Sequence, residues 1–176
     1  MTLLLQYTLI YASVLLLVAL GGCYSEHSGV INLGLEGTMV MGALGGALVM
    51  RSFPTLPGLA MLLMTILGAV VFGLVYSLLL AVAAINFKAD QTLVGTAMNL
   101  LGTAAATVFV KALNMRSDRN NVSSAIQYIN QKKAFTMFKV GTFELSWFMV
   151  IAVLLLIAAH VVLYKTKFGL RLMACG

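Results

Sequence analysis

Residues 59–85 read LAMLLMTILGAVVFGLVYSLLLAVAAI, a run without one charged side chain. A helix rises 1.5 Å per residue, so a hydrocarbon layer about 30 Å thick is crossed by about 20 mostly apolar residues. This run is long enough to cross at a tilt. Four other stretches meet the same criterion: 3–20, free of charge; 29–50, interrupted only by Glu36; 92–113, with Lys111 near its end; and 147–164, bounded by Trp147 and Tyr164, where an interfacial aromatic belt would sit. These runs predict an all-α integral membrane protein, a single domain over 1–176 made of about five transmembrane helices.

Between the first two runs, Gly21 to Ser28 mixes glycine, serine, charge and histidine, which predicts a tight turn or a broken helix. Arg51 to Gly58, with Pro54 and Pro57, ends one helix and starts another, and Phe87 to Gln91 is a second short connection. The long hydrophilic stretch is 114–146, and its centre, Ser123 to Phe138, has the pattern of an amphipathic helix for a membrane surface or a partner.

The totals exclude a soluble domain. Of 176 residues, 61% are hydrophobic and 9% charged, whereas a soluble domain carries about 25% charged residues; the lipid bilayer must cover the remainder. The net charge of +6 is not gathered on one face, so anionic headgroups account for it better than nucleic acid. Cys23 and Cys175 are far apart without companion ligands, which predicts no disulfide, metal or cofactor. Cys23 closes a lipoprotein-like box, Leu20 to Cys23, but no basic residue precedes the apolar stretch, as a signal peptide would require. There is no phosphate-binding glycine loop, no His-Glu-x-x-His and no nucleophile, base and acid set. The chain therefore reads as no enzyme, and any ATP it depends on is hydrolysed by another chain.

Glu36 is the most informative residue. A carboxylate at bilayer depth is costly unless it faces a cavity, finds a partner or takes up a proton. Asn32 and Glu36 are four apart, on one face of an expected helix. Glu36 either lines a path or braces a neighbouring helix through hydrogen bonds; Asn99 is the best placed polar residue to meet the pair. In the fourth run Gln91, Gly95, Asn99, Thr103, Thr107 and Lys111 recur every fourth residue, a polar row for other helices or water, with Thr103 and Thr107 as packing contacts. Small residues at the same spacing, Thr38, Gly42 and Gly46 and then Ala69, Gly73 and Ser77, predict close helix approach. His160, among alanines and valines, reads as an interhelical hydrogen-bonding residue rather than a ligand.

Residues 22–37, GCYSEHSGVINLGLEG, and 89–100, ADQTLVGTAMNL, resemble the signature blocks of permease subunits of bacterial ABC importers in the branched-chain amino acid, ribose and nucleoside group, closest to the nucleoside and simple-sugar branch. Residues 165–176, KTKFGLRLMACG, resemble the entry to that family's cytoplasmic coupling segment. His27 stands where the family often has Arg, and Met173 where a basic residue is usual. The matching residues are Ser25, Glu26, Gly29, Asn32, Gly34, Glu36, Gly37, Asp90, Gln91 and Gly95. Asn32, Glu36 and Asn99 are the candidates for a substrate path from their polarity alone, and the resemblance implies ATPase coupling through Thr166, Phe168, Gly169, Leu170 and Arg171. It also implies partners: a second permease subunit, cytoplasmic ATPases and an extracytoplasmic substrate-binding lipoprotein. Family members continue through further spans, so the chain is expected to be a fragment or truncated within the coupling segment.

Orientation divides the two lines of reasoning. Lys88, Lys165, Lys167 and Arg171 share one side, while the other side has Arg51, Lys111, Arg116, Arg119, Lys132, Lys133 and Lys139. Counting basic residues puts the 114–146 loop in the cytoplasm; the resemblance puts the tail there and the loop outside, in a bacterial plasma membrane. The expectation is a permease subunit importing nucleosides or related small polar solutes. The alternatives are an ATP-independent channel or secondary transporter, or a structural membrane subunit.

Overall fold

The computed structural model describes residues 2–29, 31–126, 136–140 and 143–175. Its helices are α1 (Thr2–His27), α2 (Leu35–Ser52), α3 (Gly58–Ile85), α4 (Gln91–Ser117), α5 (Trp147–Lys165) and α6 (Lys167–Cys175); strands β1 (Thr136–Val140) and β2 (Phe143–Ser146) lie between α4 and α5. Contacts divide the chain into two units, one of Met1–Asn32 with Phe135–Gly176 and one of Leu33–Ala134.

Four helices are long and apolar enough to cross a membrane: α1, α3, α4 and α5. The expected second span, 29–50, is corrected. Gly29, at φ 76°, terminates α1, and α2 starts only at Leu35 and runs 18 residues, about 27 Å at the helical rise. The expected break at Gly21 is also absent. α1 continues through Gly21 and Gly22 to His27, because a backbone in lipid has no water to replace its helical bonds. Ser28 Oγ and the Ser28 N–H then both bond the Ser25 carbonyl and close the end.

In the second unit α2 is sandwiched against α3 and α4. Thr38 faces Gly73, Gly42 faces Ala69 and Gly45 faces Gly68, so residue numbers fall on α3 as they rise on α2, and the two run antiparallel. A Cβ on Gly45 would stand 2.6 Å from the Gly68 carbonyl, so glycine sets this backbone approach. Against α4 the numbers rise together: Gly37 meets Asn99, and Arg51 meets Asn114, so α2 and α4 are parallel. Leu44, Ala106 and Val110 form one buried cluster along this pair, and Tyr76, Leu80 and Met98 form another. The rest of α3 keeps Leu67, Leu74 and Leu78 more than half exposed, as expected of a surface that lipid or further helices cover.

In the first unit α1 packs against α5. Leu17, Gly21 and Tyr24 of α1 share a cleft with Leu155, Ala159 and Val162 of α5, and the Tyr24 hydroxyl donates to the Ala159 carbonyl at 3.2 Å. β1 and β2 form an antiparallel pair that aligns Val140 with Phe143. This hairpin adds a short strand element to the helical architecture and corrects the amphipathic-helix expectation at its C-terminal end. At the other end Ser123 to Ile126 is not helical either. There Asn121 Oδ1 accepts from the Ser123 N–H and Ser123 Oγ from the Ala125 N–H, local bonds that compete with a helix. The middle of that stretch, 127–135, lies outside the described residues.

Candidate functional site

The first turn of α2 leaves backbone N–H groups without helical partners, and its N-cap residue, Gly34, has no side chain to accept them. Asn99, from the middle of α4, does so instead. Its Oδ1 accepts from the Gly37 N–H at 2.8 Å, and its Nδ2 donates to the Leu33 carbonyl at 2.7 Å. A side chain from another helix thus performs the task of an N-cap residue. Gly37 makes this approach possible, since a Cβ there would lie 2.6 Å from the Met98 carbonyl. That carbonyl also accepts from the buried Tyr76 hydroxyl at 2.5 Å, which ties α3 to the same crossing.

The residues named from the sequence sort themselves around this clamp. Asn32 lies ahead of α2 in non-helical chain, so Asn32 and Glu36 do not share a helical face; a turn at Leu33 and Gly34 stands where a helix is expected. Glu36 is in the first turn of α2 and exposed. Asn99 meets the backbone on both sides of Glu36 rather than its carboxylate. Gly95 is buried with Leu33 and Gly34 against it, while Asp90 caps α4, accepting from the Thr92 N–H at 2.8 Å. Gln91 opens that helix half-buried. Ser25, Glu26 and Gly29 belong to the end of α1, in the other unit.

Thr103 and Thr107 turn their hydroxyls onto their own helix, at the Asn99 and Thr103 carbonyls. With Val40 and Leu44 of α2 and Ala106 and Val110 of α4 they border an open cleft of about 420 Å³. At the far end of the same helix pair is a residue that the sequence reading passed over. Asn114, 1% exposed, accepts from Arg51 Nη1 at 3.3 Å and donates to the Ser123 and Ala125 carbonyls at 3.0 and 2.8 Å. It fastens the chain leaving α4 back onto α4. Its sequence signal is an amide at the end of an apolar span, the position at which the expected loop begins.

The residues that the resemblance assigned to a coupling segment divide by position. Thr166 closes α5 in extended conformation, its hydroxyl bonds the Val162 carbonyl at 2.5 Å, and it accepts from the Gly169 N–H at 3.3 Å, which starts α6. Gly169 presses on the last turn of α5, where a Cβ would run into the Leu163 carbonyl. Phe168, Leu170 and Arg171 are exposed on α6. Among the described residues no His, Cys, Asp and Glu cluster could hold a metal ion.

A family model described as the permease component of branched-chain amino acid transport systems matches residues 4–176. Over 173 residues, 96% of the chain, it is 35% identical to the guanosine ABC transporter permease NupQ of Bacillus subtilis and 33% identical to the nucleoside ABC transporter permease NupC of Lactococcus lactis. A putative glucose ABC transporter permease of Haloferax volcanii is 38% identical over 60% of the chain and 30% of its own length. The chain spans about half the length of the first two relatives, 54% of each. No solved structure matches it. By the extent of the model match and the identities along nearly its whole length, this chain, a multi-pass protein of the bacterial plasma membrane, belongs to the family of permease components of branched-chain amino acid transport systems.

Proposed function

We propose that the chain is a membrane-spanning part of an ATP-driven importer of nucleosides or related small polar solutes. It contributes to the translocation path and passes the ATPase stroke to the membrane through α6. The observation that carries this reading is the similarity, over 96% of the chain, to permeases named for guanosine and nucleosides. Cytoplasmic ATPases, a second permease subunit and an extracytoplasmic substrate-binding lipoprotein complete the assembly. In this reading α6 and the end of α5 face the cytoplasm, and the 114–146 loop faces outside. The exposed Phe168, Leu170 and Arg171 on a short helix set at an angle by Thr166 and Gly169 support α6 as the docking element. Purifying the full-length gene product through a tag tests the assembly: an ATPase subunit should come with it, and its consistent absence would favour an ATP-independent channel.

Glu36 is the residue for the path. The bracing of the α2 N-terminus is done by Asn99, and the Glu36 carboxylate makes no hydrogen bond to the described residues, which favours a role toward substrate or partner over one in holding the fold. Glu36→Gln should then assemble like the unaltered protein and already impair uptake. If uptake survives in Glu36→Gln while Glu36→Leu loses assembled complex, the carboxylate is a brace.

A further inference from the structure

A second cleft, of about 360 Å³, opens between the C-terminal ends of α2 and α4 and is lined by Leu48, Arg51, Ser52, Leu113, Arg116 and Ser117. Because α2 and α4 run parallel, their C-terminal ends lie at one level, with both guanidinium groups and both serine hydroxyls there. Leu48 and Leu113, each about one turn earlier, form a wall that continues toward the apolar part of the helices. Nothing in the described residues neutralises the two arginines. Arg51 makes one bond of 3.3 Å to the neutral amide of Asn114, out of five N–H donors. Arg116 is exposed. The nearest carboxylate in sequence, Asp118, accepts instead from the Asn120 N–H at 3.1 Å. The negative ends of the two helix dipoles ease the repulsion between the arginines but offer no hydrogen-bonding anion.

Two cations and two hydroxyls at the rim above an apolar wall match a ligand with a phosphate at one end and hydrocarbon at the other. We propose that this cleft is a binding site for an anionic phospholipid, its phosphate held by Arg51, Arg116 and the serine hydroxyls and its glycerol and first acyl carbons along Leu48 and Leu113. α4 is long and apolar enough to cross a membrane, and a helix that does so sets its last turn at headgroup depth. An acidic protein surface would satisfy the arginines yet leave the leucine wall unused, which is why lipid is the better fit. The site does not depend on which side of the membrane the α4 C-terminus occupies.

The test uses the full-length protein, delipidated in mild detergent and titrated separately with phosphatidylglycerol, phosphatidylcholine and inorganic phosphate. Bound lipid is counted by native mass spectrometry and the melting midpoint is followed in parallel. Phosphatidylglycerol should bind about fivefold to tenfold more tightly than phosphatidylcholine, and Arg116→Gln should remove most of that preference. Arg116→Gln should leave the lipid-free melting midpoint unchanged, because that side chain bonds to none of the described residues. Equal binding of the two lipids, or an unchanged preference in Arg116→Gln, would overturn the proposal. Protection by inorganic phosphate equal to that by phosphatidylglycerol would overturn it in favour of a free anion. If Arg116→Gln keeps its lipid preference and loses affinity for the substrate-binding protein, the cleft is a protein contact.

Discussion

Removing the Asn99 side chain should loosen the start of α2 more than any other single polar truncation in the α2–α4 pair. Asn99→Ala deletes the 2.8 Å bond from the Gly37 N–H and the 2.7 Å bond to the Leu33 carbonyl. The two losses are unequal. Leu33 is 44% exposed, so its carbonyl finds water or headgroups. Gly37 is buried, and no side chain on Gly34 can replace the lost acceptor. An unpaired buried N–H costs about 1–3 kcal/mol and each bond contributes about 1 kcal/mol net, so Asn99→Ala should cost about 2–3 kcal/mol. Asn99→Asp keeps an acceptor for the Gly37 N–H near a helix N-terminus, but it replaces the amide that donates to the Leu33 carbonyl with a second acceptor and sets a charge in the middle of an apolar helix, so it should be no better tolerated than Asn99→Ala. The assay is reversible unfolding in mixed micelles, read by helicity. Equal stability of Asn99→Ala and the unaltered protein, or Asn99→Asp as stable as the unaltered protein, would refute the two-bond clamp.

Other positions give equally direct outcomes. Gly37→Ala, whose Cβ would meet backbone at 2.6 Å, should separate α2 from α4 and sharply lower the yield of folded protein, whereas Gly73→Ala, with 3.8 Å to Thr38 Cγ2, should be tolerated; yield in mild detergent compares them. Arg171→Glu in the full-length protein should abolish coupled uptake and leave membrane insertion intact, since a docking face depends on complementary charge; normal uptake would remove Arg171 from coupling. In a background lacking Cys23 and Cys175, an impermeant thiol reagent applied outside should label cysteine at position 123 and not at position 166, and the reverse pattern would invert the topology.

Much of the helical architecture was legible because apolar length is read directly against bilayer thickness, and α3, α4 and α5 begin and end within a few residues of the runs that predicted them. The errors have local causes. α2 is shorter than its apolar run because its start depends on a cap supplied by Asn99, more than sixty positions away, which no local signal records. α1 is longer than its run because Gly21 and Gly22, breakers in water, stay helical in lipid sooner than expose the backbone. The hairpin before α5 had a signal in Gly141-Thr142 flanked by Phe138, Val140 and Phe143, obscured by an equally good helical pattern. At the site, Asn99 was legible as a polar residue that must meet another helix. That its partners are main-chain groups beside Glu36, and that Asn114 anchors the opposite end, required the packing of parallel α2 and α4.

Uptake in proteoliposomes tests the central claim. The full-length protein, reconstituted with the ATPase, second permease and binding lipoprotein proposed for it, is given labelled guanosine, with ATP enclosed on the ATPase side or withheld. Guanosine should accumulate against a gradient, with a requirement for ATP and the ATPase and with competition by other nucleosides. Uptake that proceeds equally without ATP, or no uptake of any nucleoside by a correctly assembled complex, would contradict it.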